Sequence, residues 1–176
     1  MMMHRLTFAG CALLLALLLA SCASESEKKA SALYKRAQTD FANRDYEKVV
    51  SGLTEALSLA GDYWVPFTDG SVHFLRGQAN DALGRSDAAI VDYTEAINRG
   101  NNYLTSWDLN SNPKPYAKNK FMRNQLARYY EARAKVYRSQ NRGTLAEEDL
   151  SVVERMSNLP TTTKERMREL LPGQSR

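Results

Sequence analysis

Residues 76–97 read RGQANDALGRSDAAIVDYTEAI, and this stretch decides the fold. Gly84 divides it where one helix should stop and the next begin. Gly77, Ala89 and Ala96 are small, so two antiparallel helices joined at Gly84 can approach closely. Arg76 and Asp92 stand sixteen residues apart, a spacing that places them opposite each other across such a hairpin. Working outward, the same pattern recurs at 30–63 and 127–160, so that 30–63, 70–103 and 127–160 align as three repeats of 34 residues. Small residues return at the eighth place (Ala37, Gly77, Ala134) and the twentieth (Val49, Ala89, Ala146). The seventh place is Arg36, Arg76 and Arg133; Asp92 and Asp149 follow sixteen residues after the last two, while Gly52 follows the first. The spacing predicts ion pairs Arg76–Asp92 and Arg133–Asp149 within their hairpins, because partly buried charges require a partner.

The rest of the chain from Ala30 keeps helical spacing. Leu33, Ala37 and Phe41 form one apolar stripe; Tyr46, Val49, Leu53 and Ala56 form another. No alternating strand pattern occurs. The five prolines fall between or after the expected helices, and Gly61, Gly84, Gly100 and Gly143 fall where helices should end. Thr162 and Glu165 have capping-box spacing. Met167, Leu170 and Leu171 then give an apolar face, so a capping helix is expected at 162–171, closing the end of the third repeat.

These repeats resemble the tetratricopeptide repeat, with Asp45-Tyr46, Gly84 and Asn141-Arg142-Gly143 at the turn and without the family's usual proline near each repeat's end. The resemblance implies an all-α solenoid of three helix pairs. It also implies a concave groove lined by the second, fifth, ninth and twelfth places of each first helix. Those places hold Ser31, Tyr34, Gln38 and Phe41, then Ser71, Phe74, Gln78 and Asp81, then Arg128, Glu131, Lys135 and Arg138. The groove would run from aromatic and neutral to basic, which suits an extended peptide of another envelope protein with an apolar and an acidic end. The expected partner-binding residues are Tyr34, Gln38, Phe41, Phe74, Gln78, Arg128, Lys135 and Arg138. Family members that clamp chaperone C-termini carry Lys and Asn where Tyr34 and Gln38 stand, so that clamp is not expected.

The amino terminus reads as an address. Met1–Arg5 is a short basic start, and Leu6–Ala20 is continuously apolar apart from small residues. That run is shorter than the roughly 20 residues of a spanning helix and has the layout of a secretory signal. It ends Leu19-Ala20-Ser21-Cys22, which resembles the lipobox of bacterial lipoproteins. The resemblance implies removal of 1–21, lipidation of Cys22, and a polar tether over 22–29 ahead of a repeat domain at 30–176. Ala23 after the cysteine resembles lipoproteins sorted to the outer membrane, so a lipid-anchored protein of the bacterial envelope, facing the periplasm, is expected.

Composition excludes other classes. The formal net charge is only +4 and charged residues make up 25%, unlike a disordered tail or a bilayer-spanning bundle. The two cysteines, Cys11 and Cys22, cannot form a disulfide framework or a cysteine zinc site. His73 is the one histidine beyond the signal segment, and it reads as a packed core residue. No nucleophile elbow, phosphate loop or paired-histidine zinc motif occurs. The expectation is a non-catalytic protein with no cofactor and no metal.

Charge is segregated along the chain. Residues 40–96 carry ten acidic and four basic side chains, and residues 114–142 carry one acidic and nine basic. The basic helix at 118–142 is equally compatible with three roles. It completes a peptide groove, it contacts anionic lipid or glycan near the anchor, or it is a solvated face offsetting the acidic half. Nucleic acid is not expected for an exported chain. Trp64 and Trp107 lie in or beside the insertions 64–69 and 104–126, the last part of which extends the third repeat's first helix. They either pack back on the repeats or form an edge for a partner.

Overall fold

A computed structural model describes residues 25–60, 69–109 and 116–157. Cys22, Trp64 and the capping helix expected at 162–171 lie outside the described residues, as does the side chain of Trp107. The described residues form six helices and no strand: α1 (25–42), α2 (Tyr46–Leu59), α3 (Ser71–Ala82), α4 (Ser86–Leu109), α5 (Tyr116–Ser139) and α6 (Gly143–Ser157). None is long and apolar enough to cross a membrane. The described residues are thus all-helical, with neighbouring helices packed on one another. It divides into two compact lobes, Met1–Arg99 and Gly100–Arg176.

In the first lobe the apolar stripes meet as their spacing requires. Ala37 of α1, Val49 and Leu53 of α2, and Val72 and Ala79 of α3 form a buried core, with Tyr34, Val50, Leu57 and Leu75 packed around it. Each fully buried Val or Leu here contributes about 1.5–3 kcal/mol. The small eighth place has a steric reason: a Cβ on Gly77 would come within 2.8 Å of the Tyr93 ring. Gly70, before α3, holds φ at 83°, and a Cβ there would meet the Ala96 carbonyl oxygen. Asp69 Oδ1 accepts the Ser71 backbone N–H at 2.8 Å and so satisfies one open donor of the first turn. In the second lobe α5 packs on α6, and Met122, Leu126, Tyr129, Val136 and Tyr137 are buried along one face.

The turns α1–α2, α3–α4 and α5–α6 share one construction. Arg44, Gly84 and Asn141 each stand at the fifteenth place of their repeat and adopt positive φ, at 64°, 72° and 58°. The next residue's N–H closes a six-to-one bond to the carbonyl five residues back: Asp45 to Asp40 at 2.9 Å, Arg85 to Asn80 at 2.8 Å, Arg142 to Tyr137 at 2.8 Å. A second bond runs from each left-handed residue to the carbonyl three back, at 3.0–3.1 Å. This is the Schellman arrangement, which satisfies the carbonyls a helix end leaves open. Only the middle turn uses glycine.

Two of the expected helix ends are corrected. Gly100 does not end a helix; it is buried inside α4, which runs to Leu109. A glycine stops a helix when it turns left-handed and its neighbours close a cap, and Gly100 is not among the glycines of positive φ. As an interior residue it costs about 1 kcal/mol against alanine, which packing can offset. Residues 104–109 of the insertion therefore belong to α4, while 116–126 extend α5 as expected. Gly143 opens α6, and Asn141 is the residue that terminates α5.

Candidate functional site

Both predicted ion pairs form. Asp92, only 3% exposed, accepts from Arg76 Nε at 3.0 and 3.1 Å and from Nη2 at 2.6 Å. Asn80 Nδ2 donates to Asp92 Oδ2 at 2.9 Å, and His73 Nδ1 stands 3.7 Å from Oδ1. Arg76 Nη1 also reaches Thr54 Oγ1 on α2 at 3.1 Å, so the pair ties the second hairpin to the first. Burial alone would raise the Asp92 carboxyl's pKa. His73, Arg76 and Asn80 outweigh it and hold the group below the usual carboxylate value. In the second lobe Arg133 Nε and Nη2 grip Asp149 at 2.9 and 2.7 Å. The Arg133 guanidinium lies 5.6 Å from the Tyr130 ring centroid and 5.7 Å from that of Tyr137. Burial would lower its pKa, but Asp149 and the two tyrosines raise it.

These are framework groups, with their donors spent inside the protein. His73 is likewise buried within this cluster. Sequence reasoning missed two members, Asn80 and Thr54. Asn80 was findable, since it lies one helical turn after Arg76. Thr54 was not, because its contact depends on how two hairpins pack.

The expected groove residues separate into two behaviours. Tyr34 is half-buried and hydrogen-bonded by the side chains of Ser71 and Gln38, so α1 meets the start of α3 at this place. Burial and the Asp69 carboxylate raise its phenol's pKa against those two bonds. Phe41 packs edge-on against Tyr46 with centroids 5.4 Å apart, and Phe74 packs against Tyr93 at 5.7 Å. Both rings remain partly exposed, as does Gln78, and Gln38 is exposed. The first lobe thus presents aromatic edges and two amides repeated at the same register.

In the second lobe Lys120, Arg128, Lys135 and Arg138 are exposed along α5, opposite its buried face. Arg142, at the following turn, stacks 4.6 Å from the Tyr137 centroid. Arg123 differs from these exposed cations: it is half-buried, and its Nε is buried without a hydrogen-bond acceptor. Phe121, beside Lys120, is 60% exposed. Among the described residues no three His, Cys, Asp or Glu side chains converge as metal ligands. No family model matches the chain, and no curated protein matches it.

Proposed function

We propose that this protein is a lipid-anchored, non-catalytic adaptor of the bacterial cell envelope, built on tetratricopeptide-like repeats, that docks a segment of another envelope protein. The observation that carries the repeat reading is the turn. One left-handed residue and the same two backbone bonds close all three hairpins at the fifteenth place of the 34-residue register. The recurring Arg–Asp clamp supports it. The lipobox-like Leu19-Ala20-Ser21-Cys22 supports the anchor. Docking is supported by two surfaces: the half-open aromatics and amides Tyr34, Gln38, Phe41, Phe74 and Gln78, and the exposed cations Arg128, Lys135 and Arg138. A partner segment with an apolar and an acidic part matches both in chemistry.

Crosslinking in intact cells followed by mass spectrometry tests this. Wild type is compared with Tyr34→Ala/Phe74→Ala and with Arg128→Glu/Lys135→Glu/Arg138→Glu. One protein captured by the wild type and lost from both variants is the expected result. No protein enriched over background sinks the adaptor reading.

A second reading draws on Phe121. An exposed aromatic ring beside Lys120 on a basic helix is the composition of an interfacial contact with anionic lipid. It expects salt-sensitive binding to anionic vesicles that falls with Phe121→Ser and ignores Tyr34→Ala.

A further inference from the structure

The stretch expected as a polar tether, 22–29, is helical from residue 25 onward, so α1 starts three residues after Cys22. The local sequence favours that start. Ser24 and Glu27 have capping-box spacing, and Glu25 and Glu27 place acidic groups in the first turn, where a helix favours them. The start is also docked on its neighbour. Lys29 Nζ meets Glu55 Oε1 of α2 at 2.8 Å, and Ala30 is fully buried. Residues 25–29 therefore belong to the folded first lobe. Only Ala23 and Ser24 are left between it and Cys22.

Chain length then bounds position. Three Cα–Cα links of about 3.8 Å hold Glu25 within about 11 Å of Cys22. α1 rises about 1.5 Å per residue, so Tyr34 lies about 14 Å and Phe41 about 24 Å beyond Glu25. Added together, these lengths keep Tyr34 within about 25 Å of Cys22 and Phe41 within about 35 Å. Both are upper limits at any tilt of the lobe. The Ser71 side chain meets Tyr34 at the start of α3, so Phe74 joins the same face just beyond that level. With Cys22 lipidated, the half-open aromatics of the first lobe work in a layer about as deep as one small domain.

We propose that this short leash confines docking to partners in the same membrane: the segment held by the Tyr34–Phe41 face adjoins the membrane span or lipid anchor of another envelope protein. A protein held in that membrane keeps its juxtamembrane segment inside the layer at all times, so the two meet at high effective concentration. A freely diffusing protein gains nothing from the anchor. The inference rests on the lipid-anchored adaptor reading and adds the class of its partner.

Two measurements on the full lipidated chain test it. In vesicles of phosphatidylethanolamine and phosphatidylglycerol, a donor dye on Thr39→Cys transfers energy to acceptors on lipid headgroups; Thr39 is exposed on α1, outside the docking face. Transfer should be strong. It should fall by at least about half when about 20 Gly/Ser residues, spanning roughly 25 Å, are inserted between Ala23 and Ser24. In intact cells, a photo-crosslinking side chain at Gln38 should capture a protein with a membrane span or anchor, at a residue within about 35 Å of that attachment. Transfer that ignores the insertion, or crosslinks confined to proteins without membrane attachment, would overturn this inference alone. A mature mass without acyl groups would remove the anchor reading, and no captured protein the adaptor reading, each taking this inference with it.

Discussion

Replacing Asp92 by alanine removes one acidic side chain that serves three neighbours. Arg76 loses all three of its hydrogen bonds to the carboxylate, Asn80 loses the acceptor of its Nδ2, and His73 loses the charge 3.7 Å away. Breaking a fully buried pair from one side costs roughly 3–5 kcal/mol. Arg76 is 21% exposed and keeps Thr54, so water recovers part of the loss, and about 3 kcal/mol remains. At about 2–4 °C per kcal/mol for a chain of this size, Tm should fall by about 6–12 °C. Circular dichroism at 222 nm during heating and urea unfolding reads it. Converting both partners, as Arg76→Met/Asp92→Leu, should recover much of the stability, since no charge is then left unpaired. The pH dependence carries its own sign. The folded pKa of Asp92 is lowered, so its contribution is full above the unfolded value of about 3.9 and fades as pH falls through the folded value. The gap between wild type and variant should therefore be full at neutral pH and narrow in acid. A Tm loss under about 2 °C, or a gap unchanged in acid, would refute the clamp as a stabilising charge pair.

Asp149→Ala should destabilise the second lobe by a similar amount, about 3 kcal/mol, since Arg133 is held by the same two-pronged contact; denaturant unfolding checks it. Gly77→Ala would ordinarily strengthen a helix, but its Cβ meets the Tyr93 ring at 2.8 Å, so urea titration should show a loss of about 1–3 kcal/mol. Gly84→Ala should lower stability by about 1 kcal/mol because φ there is 72°. Arg44→Gly, at the matching place of the first turn, should raise it by up to about 1 kcal/mol; parallel melting curves decide the pair. Gly52→Asp should stabilise more than Gly52→Ala, with the difference vanishing when Arg36 is also replaced by methionine, as a double-mutant cycle reads directly.

Much of this protein was written locally. Helix spacing, the hairpin stops and the two Arg–Asp pairs were legible because each depends on a few tens of consecutive residues. Once two helices are joined by a short turn, residues sixteen apart have no choice but to face each other. Gly84 announced its turn by its chemistry. Asn141 carries a weaker sign of the same kind, since asparagine also tolerates the left-handed conformation; Arg44 carries none, and the cap's hydrogen bonds hold it there. Gly100 failed as a stop for the converse reason: burial inside α4 outweighs a weak local preference. The candidate surfaces divide the same way. The exposed cations of α5 follow from its periodicity, whereas Tyr34 turning to Ser71 and Thr54 receiving Arg76 arise only when separate hairpins meet. Local propensity is a matter of tenths to about one kcal/mol per residue; buried contacts between distant segments are worth several, and where the two disagree the contacts decide.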